Sequence, residues 1–83
     1  MTNKILITVL VPMIEKEYDI YIPVSKSIRV TANLLIKSIN ELSEGHFPIK
    51  DKCSLLTSTG EILKEDSNIK DSGIKNGDKI ILI

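Results

Sequence analysis

The residues able to do chemistry are few in this chain. Cys53 is its single cysteine and His46 its single histidine, a thiol and an imidazole of the kind a nucleophilic dyad uses. A working dyad also needs a third group to orient the base and a pocket to hold substrate, and nothing near either residue supplies them. Cys53 therefore reads as a small apolar filler at the start of a strand, and His46 as a solvated loop residue. One cysteine cannot close an internal disulfide, and it lacks the spaced partners of a zinc site. Asp66, Asp71 and Asp78 bring carboxylates of the type calcium favours, but their spacing matches no EF-hand loop. They are expected as turn and cap residues. No catalytic, metal-ligating or cofactor-binding residue is expected, and the chain is not expected to be an enzyme.

Composition narrows the partners. With 11 Lys plus Arg against 11 Asp plus Glu, the formal net charge is zero. There is no basic surplus to neutralise phosphates or anionic lipid, so neither nucleic acid nor direct membrane insertion is expected. Phe47, Tyr18 and Tyr21 are the aromatic residues, without a Trp, too few for a base-stacking platform. At 42% apolar and 27% charged, the 83-residue chain is too apolar for disorder and suits one domain, 1–83, around one core. The opening MTNKILITVLVPMI has the apolar run of a weak signal peptide. Pro12 breaks that run, no small-residue cleavage site follows, and the pattern alternates like a strand. A soluble, cytoplasmic protein is expected.

The elements that must position these residues follow from periodicity. Lys4 to Val11 sets Ile5, Ile7, Val9 and Val11 on one face and Leu6, Thr8 and Leu10 on the other. Two apolar faces predict a central strand, and Pro12 ends it. Tyr18 to Val24 alternates again, and two such runs across a short loop predict a hairpin. Ser27 can cap a helix running from Ile28 to Glu44. At 100° per residue, Ile28, Ala32, Leu35, Ile39 and Leu42 form its apolar stripe. Gly45 stands where a left-handed C-cap belongs, and Pro48 prevents resumption. Cys53 to Thr57 predicts a third strand, Ser58 to Gly60 a turn, and Glu61 to Leu63 a short fourth strand. KEDSNIKDSGIKNGD is a polar loop anchored by Ile69 and Ile74, and the NGD turn leads into a last strand, Lys79 to Ile83.

The order β-β-α-β-β-loop-β implies an α+β protein with one long helix on one face of a mixed sheet of about five strands, the β-grasp architecture. The chain resembles ubiquitin in IPVSKSI (22–28), in GluGly (44–45) followed by Pro48, in TSTGEIL (57–63) and in NIKDSGIKNGDKIILI (68–83). It is similar, more narrowly, to the YukD/EsaB family of bacterial ubiquitin-fold proteins encoded with type VII (WXG100) secretion systems. That likeness rests on the extended helix and on IKDSGIKNGDKIILI (69–83). It implies an accessory or regulatory subunit on the cytoplasmic side of the secretion machine, with one of its components as protein partner.

Ubiquitin and the small sulfur carriers act through a C-terminal Gly-Gly. Here the sequence reaches IleIleLeuIle within the expected last strand, and Gly77 is an internal turn, so conjugation and sulfur carriage are not expected. The open face of the sheet is the candidate binding surface: Leu6, Leu10, Leu55, Ile81 and Ile83, with Tyr21 and Thr57 beside them. An exposed apolar patch of more than a few hundred Å² marks an interface more often than not. The resemblance puts Thr57 where ubiquitin's central isoleucine stands, which implies that ubiquitin-binding domains would not recognise this chain. Val30 and Leu34, one turn apart on the polar side of the helix, either pack under the long loop or meet a partner. The expected function is that of a non-conjugated adaptor. Its rivals are a self-associating module, a homodimer through the sheet face or a strand edge, and a modifier or sulfur-carrier relative without its tail.

Overall fold

The computed structural model describes residues 3–83. Strand β1 (Lys4–Val11) pairs antiparallel with β2 (Lys16–Pro23) and parallel with β4 (Lys79–Leu82), and β3 (Leu55–Thr57) pairs antiparallel with β4. The sheet order is β2-β1-β4-β3, so the first strand is central as its two apolar faces predict. The parallel β1–β4 pair needs a long crossover, and helix α1 (Ile28–Leu42) supplies it, lying over one face. Ile7, Val9, Ile80 and Leu82 meet Leu35, Ile36 and Ile39 in the core that results.

The hairpin is tighter than expected. A 3-10 turn at Pro12–Ile14 closes it, with Glu15 left-handed at φ 54° and its N–H donating to Pro12 O. β2 therefore begins at Lys16, two residues before the expected Tyr18.

Both helix ends are built from side chains and loop carbonyls. Ser27 Oγ accepts from Val30 N at 3.1 Å, as a capping serine does. The N–H groups of Ile28 and Arg29 donate to Ser67 O at 2.7 Å and Glu65 O at 3.0 Å, so the polar loop satisfies donors the helix leaves free. At the other end Glu44 N donates to Glu41 O and Gly45 N to Asn40 O, the paired bonds of a Schellman motif. Glu44, at φ 54°, takes the left-handed position expected of Gly45, which follows at φ 85°. Thus the helix stops at Leu42 rather than Glu44. Phe47, fully buried, is then held in the core by Ser43 Oγ accepting from its N–H at 2.9 Å and Asn40 Nδ2 donating to its O at 2.8 Å.

The sheet has four strands, not about five. The expected strand at Glu61–Leu63 is reduced to one bridge, Leu56 opposite Ile62. Its pairing stops there because the chain must leave the sheet at Lys64 for its carbonyls to reach the start of α1. The last turn does run as expected: Asp78 N donates to Lys75 O at 3.0 Å, around Gly77 at φ 89°. Asn76 Oδ1 accepts from Leu6 N at 2.8 Å and prolongs the β1–β4 ladder with a side chain.

Candidate protein-binding surface

Strand register decides which side chains share the open face. Leu10 stands opposite Glu17 in β2 and Ile81 in β4. Ile81 stands opposite Leu56 in β3, and Leu56 opposite Ile62. Directly opposed residues project to the same side, so Leu10, Ile81, Leu56 and Ile62 form one apolar row across the strands. Leu10, Leu56 and Ile81 are half-buried by one another, and Ile62 is 71% exposed. Ser54 and Ile83 exchange backbone hydrogen bonds at 2.8 and 3.0 Å. This extends the β3–β4 ladder and puts exposed Ile83 beside Ile81 on the same side.

The next row along the strands is polar. It contains Asp19, Thr8 and Lys79, and Thr8 Oγ1 donates to Asp19 Oδ1 at 2.7 Å. Beyond it Leu6 stands opposite Tyr21, which is 65% exposed. The open face therefore carries two apolar groups divided by a polar row. Leu10, Ile81 and Ile83 come together as expected, whereas Leu6 and Tyr21 form a separate pair.

Leu55 and Thr57 are not on this face. Leu55 pairs with Leu82 and Thr57 with Ile80, both helix-facing, and Leu55 is 1% exposed in the core. Thr57 Oγ1 accepts from Glu61 N at 3.1 Å and lies 2.9 Å from Thr59 Oγ1, so it closes the turn after β3. The side chains of a strand exchange faces with a shift of one residue, and Leu55-Leu56 offers no alternation from which to choose the parity. Leu56 holds the open-face position, which removes the ground for excluding ubiquitin-binding domains on account of Thr57. Ile62, read as part of a strand but not as a surface residue, completes the row. Ile62-Leu63 offers no alternation either, so nothing in the sequence distinguishes Ile62 as the exposed one of the two.

On the helix, Val30 and Leu34 are exposed. The long loop meets the helix backbone at Ile28 and Arg29, where the Arg29–Glu65 ion pair at 3.2 Å also lies. Leu42, expected in the core stripe, is 57% exposed. It lines a shallow hollow with Ile14, Tyr18 and His46. Ile36 and Thr31 are buried in its stead.

Cys53 and His46 line different hollows. Cys53 is near Ala32, Leu55 and Leu63, and His46 is near Tyr18 and Leu42. Burial pushes the Cys53 thiol above its ordinary value, against a smaller opposite pull from the Lys50 charge. A reactive thiol is shifted the other way. His46 Nδ1 donates to Ser43 O at 2.6 Å, which uses that nitrogen to fasten the helix exit. No group of three or more His, Cys, Asp or Glu able to hold a metal occurs among the described residues.

The fold is ubiquitin-like: a mixed sheet with one helix packed on one face and an open apolar row on the other. Comparison with protein-family models and with curated protein sequences gives no match. Solved structures do match. A chain of the MycP5-free ESX-5 inner membrane complex, State II, superposes with a TM-score of 0.82 over 98% of this chain at 14% identity. This chain spans about a fifth of that one, 21%. The EccD5 ubiquitin-like domain from Mycobacterium xenopi gives 0.79 at 15% identity, covering 96% of this chain and 92% of that one. The ubiquitin-like domain of the Mycobacterium tuberculosis type VII secretion protein EccD1 gives 0.75 at 16% identity, covering 96% and 97%. At these identities the likeness is one of fold. Among the described residues no helix is long and apolar enough to cross a membrane.

Proposed function

We propose that this chain is a ubiquitin-fold adaptor that works by non-covalent protein binding rather than catalysis. It serves as an accessory or regulatory subunit of the YukD/EsaB kind in a type VII (WXG100) secretion system, on the cytoplasmic side. The observation that carries the binding role is the cross-strand row Leu10, Ile81, Leu56 and Ile62, apolar side chains gathered on the sheet face opposite helix α1. The type VII assignment is supported by the sequence 69–83 and by the fold shared with EccD ubiquitin-like domains.

A pull-down from native lysate tests both parts, comparing wild type with Leu56→Arg/Ile81→Arg after circular dichroism shows both folded. A secretion-system component retained by wild type and lost by the double variant is the expected result. Equal retention by both forms overturns the sheet face as the docking surface and moves attention to Val30 and Leu34. Partners that include no secretion component overturn the type VII assignment alone.

Self-association has one observation in its favour: β2, eight residues long, lies at the edge of the sheet. Lys16, Glu17, Asp19 and Pro23 along that strand are the residues proteins use to blunt an edge. Size exclusion across concentration separates the readings, since an adaptor of this kind stays monomeric alone.

A further inference from the structure

We propose that Asn76 is a site of spontaneous covalent modification, losing its side-chain nitrogen as ammonia through a cyclic imide with Gly77, and that the backbone of Leu6 holds this reaction off in the folded chain. The inference is independent of the adaptor reading.

Asparagine is a thermolabile residue because the backbone nitrogen that follows it can attack its side-chain carbonyl. At this site the Gly77 N–H gives up its proton to solvent and the nitrogen bonds to Asn76 Cγ. The Cγ–Nδ2 bond breaks, and the nitrogen leaves as ammonia with a proton taken back from solvent. Water then opens the imide at either carbonyl. One opening gives an aspartyl residue; the other gives an isoaspartyl link, in which the main chain runs through the side-chain carbons. Nothing is oxidised or reduced, and water is the only co-reactant.

The residue after the asparagine decides where this happens, since a side chain there crowds the attacking nitrogen. Asparagines 3, 33, 40, 68 and 76 are followed by Lys4, Leu34, Glu41, Ile69 and Gly77. Asn76 alone precedes glycine. Asn33 and Asn40 also lie within α1, whose ladder engages the N–H groups that follow them. Asn76 and Gly77 are exposed, and a methyl group at Gly77 would meet no atom within 4 Å, so water reaches the pair.

The fold works against the reaction. Both reacting groups are bonded to one residue of β1. Gly77 N donates to Leu6 O at 2.7 Å, and Asn76 Oδ1 accepts from Leu6 N at 2.8 Å. The nitrogen cannot lose its proton without giving up the first bond. The side-chain carbonyl cannot turn onto the nitrogen without giving up the second. Leu6 N–H also polarises the Asn76 carbonyl, which by itself favours attack. That pull is the smaller effect, because attack requires a deprotonated nitrogen and the proton is shared with Leu6 O.

These bonds close the end of a short ladder. β1 and β4 share the pairs Thr8–Lys79, Val9–Ile80 and Leu10–Ile81, and such ends open without global unfolding. The reaction therefore proceeds only while that end is open. Its two products differ in consequence. The aspartyl form keeps an oxygen for Leu6 N. The isoaspartyl form lengthens the main chain between the two hydrogen bonds and cannot keep both.

The test incubates the whole chain at one mildly alkaline pH, folded or unfolded in guanidinium chloride, and follows the amide-to-acid mass increase at each asparagine by fragmentation mass spectrometry. The expected result in denaturant is acid at position 76 before any other asparagine. The folded chain should react at least about tenfold more slowly, the effect of two hydrogen bonds that must first be released. Asn76→Gln, whose longer side chain would have to close a larger ring, should stop the gain in both states. Hydrogen exchange gives an independent readout. The Gly77 amide should be protected by about the same factor as the reaction is slowed. It should lose that protection in the isoaspartyl form, which ion exchange separates by its added negative charge. Equal rates folded and unfolded, a faster folded rate, or an unprotected Gly77 amide would each overturn the hold by Leu6. Acid at position 33, 40 or 68 as early as at 76 in denaturant would overturn the site itself.

Discussion

The two faces of the sheet are made of nearly the same side chains. In β4, Ile80 and Leu82 point into the core at 1% and 0% exposure, while Ile81 between them is half-buried on the open side. In β3, Leu55 is buried and Leu56 is not. Helix α1 makes the difference. It covers one face with Leu35, Ile36 and Ile39, and a polar row of Thr8, Asp19 and Lys79 crosses the other. Apolar type alone thus does not mark a core. The helix-covered face forms the core, and the open face has apolar side chains that helix α1 does not cover.

Adjacent leucines give the largest expected contrast. Leu55→Arg puts an unpaired charge among Leu82, Leu63 and the helix, a change that costs several kcal/mol. A domain of this size is stable by about 4–12 kcal/mol, so the variant should be unfolded or molten by near-UV signal and amide dispersion. Leu56→Arg, one residue on, can extend its guanidinium into water and should lower the stability read by urea denaturation by less than about 1 kcal/mol. If both variants unfold, the open face is a second core and the comparison fails.

Truncation sharpens the same contrast with less force. Leu82→Ala should lose about 2–5 kcal/mol by urea denaturation, the range for emptying a packed leucine site. Ile81→Ala should lose under about 1.5 kcal/mol, since its outer side faces solvent and only the row neighbours lose contact. A ratio near one between the two losses would mean that the row of Leu10, Ile81 and Leu56 contributes to folding as the core does.

Which parts of this contrast the sequence discloses depends on local alternation. In Lys4–Val11 β-branched residues recur at every second position, so the core face of β1 and its central place are legible. So are the Ser27 cap and the Gly77 turn, where one residue type answers one backbone requirement. Leu55-Leu56 carries no parity, and β3 is too short to supply it from its flanks; the face is decided by pairing with β4, a contact made across the chain. Leu42 lies within the apolar stripe by angle, yet the helix ends there and overhangs the core. Phe47 reaches the core because Ser43 and Asn40 turn the chain back after the helix, an arrangement of hydrogen bonds that no spacing rule announces.

The smallest expected effect uses thiols as probes of the two faces. Cys53 has the parity of Leu55 and packs at the margin of the core, and burial raises its pKa above the ordinary thiol value. Ser54, next along the chain, is exposed and has the parity of Leu56. At pH 8 the wild-type thiol should react with a disulfide reagent several-fold more slowly than the thiol introduced by Ser54→Cys in a Cys53→Ser background, because the thiolate is the reacting species. The same shift has a sign in stability. A raised folded-state pKa means that the native chain holds the proton more tightly than the unfolded one. Its contribution is complete below the unfolded value and is lost as pH rises through the folded one, so wild type should lose stability relative to Cys53→Ser as pH rises above about 8.5. Equal rates for the two thiols would show that the helix-covered face does not exclude water at this end, and would place the boundary between the faces inside Leu55 rather than at Cys53.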